Sequence, residues 1–322
     1  MDRAFEHVPV MLEEVLELFA DLEDGVLLDA TVGGAGHADA LLEAHPSWDL
    51  VAIDRDAEAV EAATARLAPF GVRARVYRAR FDELAAVLAA STAAARPVVA
   101  VLFDLGVSSH QLDSPERGFS YRADGPLDMR MDRTDQLRAA DVVNGASEPE
   151  LAELFRDNGE ERFAGRIARA IVASRPVDST ARLAEIVASA VPAAARRRGH
   201  PARRVFQALR VRVNGELDVL GPAIDDAVGL LAPAGRLVVL AYHSGEDRIV
   251  KHRLVAASTG GCTCPLPLPC ACGARPTVRL LNRGARLARP EEVAANPRAE
   301  SVRLRAVERL VVDEATRTDG GR

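Results

Sequence analysis

The sequence predicts an α/β protein, a parallel sheet built from βαβ units with an all-helical domain inserted into it. Three observations predict this. Short apolar strands alternate with helices up to residue 104, purely helical patterns run from Asp132 to about residue 213, and strand patterns then return. A chain of 322 residues is long enough for two structural units.

In order, FEHVPVMLEEVLELFA carries Val10, Leu12, Val15, Leu16 and Phe19 at near-helical period, giving a helix over 9–20. Strands are expected at 25–30, 50–54, 74–78 and 98–104. A glycine turn covers 31–38, and helices are expected from 38 to 44, over 56–70 and over 81–91. Beyond Asp132, Ser147-Glu148-Pro149-Glu150 is a capping box that opens a helix ending at Gly159. Further helices are expected at 160–174, 180–191 and 201–220. The helix AIDDAVGLLAP then leads to strands at 235–244 and 301–312. The expected domains are therefore a discontinuous sheet domain, 1–112 and 214–312, an inserted helical domain, 113–213, and a disordered tail, 313–322.

Composition excludes several classes. Hydrophobic residues at 48% beside 27% charged residues describe a soluble globular chain, and no run of eighteen apolar residues suggests a membrane span. The acidic first thirty residues are unlike a signal peptide, so a cytoplasmic location is expected. A net charge of −6 argues against wholesale coating of nucleic acid but not against a local basic patch. Lys251 is the only lysine, so an arginine cluster in this chain is weaker evidence than elsewhere.

The glycine turn DATVGGAGH lies between a strand and a helix, and Asp54 ends the next strand some twenty residues later. This layout suits a nucleoside: glycines admit it to the backbone and the acid accepts hydrogen bonds from ribose hydroxyls. A dinucleotide fingerprint would require glycine at 39, where Asp39 stands and would oppose a pyrophosphate. A phosphate-free ribose ligand fits better, S-adenosyl-L-methionine being the commonest. Asp29, Asp54 and Asp104 all sit at or near strand ends, and a tight turn without a ligand is the alternative. After the fourth strand, the stretch to Asp132 drops hydrophobic periodicity yet contains Phe119, Tyr121, Leu127, Met129 and Met131. It is expected to be an ordered, functional loop.

The blocks HVPVMLEEV, DATVGGAGHADALLE, IDRDAEAV, LFDLGVSSHQLDSPERGFSYRADGPLDMRMD, FRDNGEERFAGRIARAI, FQALRVRVNGELDVL, HSGEDRIVK and NPRAESVRLRAVER resemble the bacterial 16S rRNA cytosine-N4 methyltransferase family (RsmH/MraW). They span residues 7–309. The resemblance implies a class I (Rossmann-like) S-adenosylmethionine-dependent methyltransferase sheet. Its substrate would be a cytosine in the decoding centre of 16S rRNA, within the 30S subunit. Carried over by position, Ala35, Gly36 and His37 would hold the methionine end of the cofactor, Asp54 the ribose, and Phe81 would flank the adenine. Asp104 and Gln111 would close the other side. Ala35 replaces a family glycine, so its backbone contact is expected to survive only if its φ is negative. Gly245 and Glu300 depart from the usual leucine and arginine.

Methyl transfer requires the cytosine amine in line behind the sulfonium methyl; Asp104 or a carbonyl of Leu105 to Val107 are candidate proton acceptors, and no general base is assigned. The base must be unpaired and presented. Arg196, Arg197, Arg198, Arg203, Arg204, Arg210 and Arg212, with His200, form either a phosphate track or a solvated helix face. Phe119 and Tyr121 either stack on a base or anchor the loop, and His243 either faces the site or is structural. Rival functions are a non-catalytic RNA-binding or ribosome-assembly factor on this scaffold and an amino-methyltransferase with another substrate. The Asp/Asn-Pro-Pro-aromatic signature of many amino-methyltransferases is replaced here by DLGV. A nicotinamide-dependent dehydrogenase is disfavoured by Asp39. Cys262, Cys264, Cys270 and Cys272 suggest zinc rather than disulfides, but both arms are C-x-C, and the resemblance implies metal-free catalysis. No metal ligand is assigned.

Overall fold

The computed structural model describes residues 9–159, 161–196, 200–264 and 271–311. The expected tail at 313–322, with Arg197, Arg198 and Cys270, lies outside these residues. The chain divides into two compact units, Met1–Gly106 with Val219–Arg322, and Val107–Asp218.

The first unit is a seven-stranded sheet. Its strands are β1 (Val26–Asp29), β2 (Asp49–Asp54), β3 (Ala74–Arg78), β4 (Val98–Asp104), β5 (Leu231–Ala241), β6 (Val278–Leu280) and β7 (Arg303–Arg309), in the order β3-β2-β1-β4-β5-β7-β6. β1 to β5 are parallel, whereas β7 runs antiparallel to both β5 and β6. Every residue of β1 and the first six of β4 are buried, as continuous apolar strands must be when helices cover both faces. Two apolar layers do the covering. One gathers Leu28, Val51, Phe103, Ile224 and Val250, and the other Phe19, Leu41, Trp48, Leu102 and Leu304. The chain leaves β1 toward β2 and later returns to β4 on the opposite flank. The strand order therefore reverses between β1 and β4, where open α/β sheets bind ligands beyond the carboxyl ends of their strands.

Several boundaries move. The helix expected over 56–70 is Ala57–Leu67 followed by a 3₁₀ segment, Ala68–Arg73, because Pro69 and Gly71 (φ +57°) interrupt the α-helical path. The helix expected over 201–220 ends at Asn214, where Gly215 at φ +60° caps it, and a new helix runs from Glu216 to Leu230. Helix Ser244–Thr259 and edge strand β6 were not anticipated.

The second unit is helical. Helices Ala139–Gly145, Glu148–Asp157, Ala164–Ala173, Thr180–Ala190 and Ala202–Asn214 bury one core that includes Phe155, Ile167, Ile171, Leu183 and Leu209. Ser147 caps its helix by accepting from the Glu150 N–H while Glu150 accepts from the Ser147 N–H, the reciprocal box read from the sequence. Phe119, Leu127, Met129 and Met131 of the long loop belong to this same core.

Candidate active site

The turn after β1 is tied to both neighbouring strands. Ala30 N–H donates to the Leu102 carbonyl at 2.9 Å and Val32 N–H to the Ile53 carbonyl at 2.9 Å. Thr31 N–H donates to Asp29 Oδ1 (3.0 Å), and Thr31 Oγ1 accepts from the Asp104 N–H (2.6 Å). Gly33, at φ +49°, donates its N–H to Asp54 Oδ2 at 3.0 Å, and Asp54 Oδ1 accepts from Asp56 N–H at 2.9 Å. Asp29 pairs in register with Ala52 on β2 and with Leu102 on β4. Asp54 and Asp104 each lie two residues further along, so they flank the β1 turn at one height. Neighbouring strands are about 4.8 Å apart, which places β2 and β4 roughly 10 Å apart across it. The two acids that the sequence assigns to opposite sides of a ligand thus share one end of the sheet.

Their environment is electrostatically unusual. Burial pushes the Asp29 carboxyl up to about 7, with the Asp104 and Asp54 charges adding to the rise. Burial likewise raises Asp54 to about 6, opposed by the hydrogen bonds from Asp56 and Gly33 N–H. Asp104 Oδ1 accepts from the Tyr242 hydroxyl at 2.7 Å, and its Oδ2 lies 3.5 Å from His37 Nδ1. Burial, then the Asp104 charge, pushes the Tyr242 phenol well above its ordinary value, so it stays a donor. Three acids crowded at strand tips favour a cationic occupant over an anionic one.

Each expected residue has a definite place. Gly36 opens helix Gly36–Ala44, and a Cβ built on it would lie 2.5 Å from Pro9 Cγ, so glycine here permits close packing. His37 is buried, and its Nε2 must carry a proton because it faces the Val10 carbonyl at 3.0 Å. The ring is thereby fixed beside Asp104. Phe81 begins a 3₁₀ turn and packs edge-on against Phe103, with ring centroids 6.0 Å apart. Gln111 belongs to the helical unit, where it is buried on the short helix Ser109–Asp113. Its Oε1 accepts from the Ser108 N–H at 3.0 Å and its own N–H donates to Ser108 Oγ.

Ala35 requires a correction. Its φ is +61°, the opposite sign from the one its expected backbone contact needed, and its N–H is already donated to the Val32 carbonyl at 2.7 Å. It shapes the turn through its left-handed conformation instead. Asp39 is partnered by Arg66 at 2.8 Å. Tyr242 was missed by sequence reasoning, since a tyrosine after a strand has no motif of its own. His243 takes the structural alternative, capping helix Ser244–Thr259 by accepting from Gly245 N–H (3.2 Å) at Nδ1.

In the helical unit, Phe119 is a core residue with the buried Arg117 guanidinium 5.8 Å from its ring centroid. Tyr121 stacks on His200 at 4.6 Å and meets Phe206 edge-on. Arg210 leaves the expected phosphate track, because it is buried and forms a two-pronged pair with Glu216, both contacts 2.9 Å. Arg203, Arg204 and Arg212 stay exposed on helix Ala202–Asn214.

Residues 4–310 match the model of the MraW methylase family. The chain belongs to this family. Among its relatives is the Ribosomal RNA small subunit methyltransferase H of Thermobifida fusca, 52% identical over 310 residues, covering 94% of this chain and 93% of the relative. Proteins of the same name from Symbiobacterium thermophilum and Heliobacterium modesticaldum are 48% and 46% identical, covering 97% and 95% of this chain and 99% of each relative. Among solved structures, an rRNA methylase from Streptococcus thermophilus is similar with a TM-score of 0.40 at 12% identity, covering 95% of this chain and 99% of that one. At that score the likeness adds nothing to the assignment, which the sequence relatives make alone.

Proposed function

We propose that this protein transfers a methyl group from S-adenosyl-L-methionine to N4 of a cytosine in the decoding centre of 16S rRNA. Membership of the MraW methylase family supports the reaction class. The observation that carries the cofactor is the acid cluster at the point where the strand order reverses. S-adenosylmethionine brings a sulfonium and an ammonium, which offset the crowding of Asp29, Asp54 and Asp104, whereas a dinucleotide would bring two phosphates into it.

The residues fit the cofactor chemically. Asp54 spends one lone pair of each oxygen on backbone N–H groups and keeps others for ribose hydroxyls. Phe81 offers an aromatic edge for the adenine, and Gly36 and His37 define the turn beside the methionine end. When bound, the cofactor supplies an electrophilic methyl group. The chain's share of the work is to hold Asp104 through the Tyr242 hydroxyl and to keep the reacting groups in line, which is worth on the order of 7–11 kcal/mol for well-oriented reactants. Gln111 is proposed as a further cofactor contact on the strength of the family resemblance alone. The helical unit, with exposed Arg203, Arg204 and Arg212, is the proposed RNA-recognition domain, and the 30S subunit is the proposed partner in the cytoplasm.

A tritiated-methyl transfer assay that offers 30S subunits, naked 16S rRNA and DNA in parallel tests the reading. Label should enter the ribosomal substrates as N4-methylcytidine. Label in DNA alone supports an amino-methyltransferase of different substrate. Tight RNA binding without any transfer supports the assembly-factor reading.

A further inference from the structure

The cysteine segment shares no residue with the acid cluster, and the proposed reaction does not use it. Cys262, Cys264 and Cys272 follow helix Ser244–Thr259, and their three sulfurs all lie within 4.8 Å of one another. None of the three is in a disulfide. Sulfurs bound to one zinc at about 2.3 Å stand about 3.8 Å apart in a tetrahedron, compared with about 2.05 Å when bonded to each other. A trio within that reach has the spread of a coordination shell.

The local backbone supports the same reading. Gly260 caps the helix at φ +62°, and both its N–H and that of Gly261 return to the Ala256 carbonyl. A Cβ on Gly260 would lie 2.4 Å from the Arg275 nitrogen, so the chain entering the cysteines and the chain leaving them pass in contact. Thr277 N–H donates to the Ala257 carbonyl at 2.9 Å, which fixes the exit. Gly273, immediately after Cys272, has φ +71°, the conformation that lets a chain wrap back around a ligand atom. Little apolar burial holds this stretch: among the described residues 260–276 none is buried. A three-sulfur cluster on a loop without a core calls for another source of order.

The geometry points to a structural zinc site in which the thiolates of Cys262, Cys264 and Cys272 bind one ion and staple the end of helix Ser244–Thr259 to the segment entering β6. Soft thiolate donors select zinc over the hard divalent cations. Each thiol loses its proton on binding and no electrons move. Cys270 lies outside the described residues and is not assigned.

The test uses the full chain purified under reducing conditions without chelator. Metal analysis should find about one zinc per chain, and exchange with cobalt should give thiolate-to-cobalt absorption. The double variant Cys264→Ser/Cys272→Ser should lose both signals. Its S-adenosylmethionine binding should persist, because the acid cluster contains none of these residues. Should the variant fail to fold, the cobalt spectrum of the unaltered chain still decides. Less than about a tenth of a zinc per chain with no uptake of added zinc or cobalt overturns the inference. So does undiminished zinc in the double variant, or a disulfide among these cysteines.

Discussion

At the residue scale, the site turns on carboxylates whose neighbours set their charge. Asp104 accepts a hydrogen bond from Tyr242 and has His37 beside it. Replacing it with alanine should abolish S-adenosylmethionine binding in calorimetry while leaving RNA binding in place; normal cofactor affinity would refute its role. The raised carboxyls also imply a pH dependence. Between the ordinary carboxylate range and about 7, folded Asp29 keeps a proton that the unfolded chain has released. Its contribution to stability is therefore present at low pH and lost as pH rises through about 7. Asp29→Asn, which can still accept the Thr31 N–H, should flatten this fall, so urea midpoints at pH about 5 and about 8 should differ less in the variant. A cationic cofactor favours the ionised acids, and its affinity should weaken as pH drops through about 7 and then about 6. Ala35 shows how magnitudes compete. Relieving a left-handed alanine gains about 1–2 kcal/mol, whereas losing a fully buried methyl and adding unfolded-state freedom costs about 1.5 kcal/mol in total. Ala35→Gly should be neutral within about 1 kcal/mol in thermal melts. Ala35→Val should cost more than about 2 kcal/mol, since a β-branched residue resists positive φ.

At the level of elements, the long loop shows what sequence can and cannot reveal. Its apolar residues marked it as ordered, and Phe119, Leu127, Met129 and Met131 are indeed buried. The contacts that order it come from distant residues and leave no local signature. Asn214 Oδ1 accepts from the Met131 N–H, and its amide donates to the Met129 and Arg210 carbonyls. Thr180 clasps Gly125 through two hydrogen bonds, both 2.9 Å. A Cβ on Gly125 would lie 1.9 Å from the Pro115 carbonyl oxygen, and one on Gly118 would lie 2.1 Å from that of Pro126. Backbone cannot yield as a flexible side chain can, so Gly125→Ala should lower the unfolding midpoint and expose the loop to protease. Asn214→Ala strands buried backbone groups and should cost about 2–4 kcal/mol in denaturant melts. Strands β1, β2 and β4 were legible because buried parallel strands are largely continuous apolar runs, and the half-exposed edge strand β3 because a short β-rich stretch follows a helix. Helix Ser244–Thr259 was not, because its cap is a histidine rather than Ser, Thr, Asp or Asn, and its buried face is only Glu246, Val250 and Leu254. The break at Gly215 was overlooked because a capping glycine in a helical run resembles a tolerated one.

At the scale of the whole molecule, the sheet supplies an acid cluster at its strand tips and the helical unit a helix with exposed arginines, and the proposed activity needs both. The sequence placed Asp54 and Asp104 at strand ends, and parallel pairing in register brings them to one end of the sheet. It could not separate structural from exposed arginines, because pairing with Glu216 is a matter of three-dimensional proximity. Arg203→Ala with Arg212→Ala should weaken RNA binding at every sequence and reduce the salt dependence by about one to two in log–log slope, whereas Arg210→Ala should instead destabilise the helical unit. The most direct test of the central claim is calorimetric titration of S-adenosylmethionine into the native protein and into Asp54→Ala at neutral pH. Saturable one-to-one binding that falls at least about tenfold in the variant is expected from the loss of a charged acceptor. Equal affinity in the two proteins would contradict a cofactor site at the tips of β1, β2 and β4.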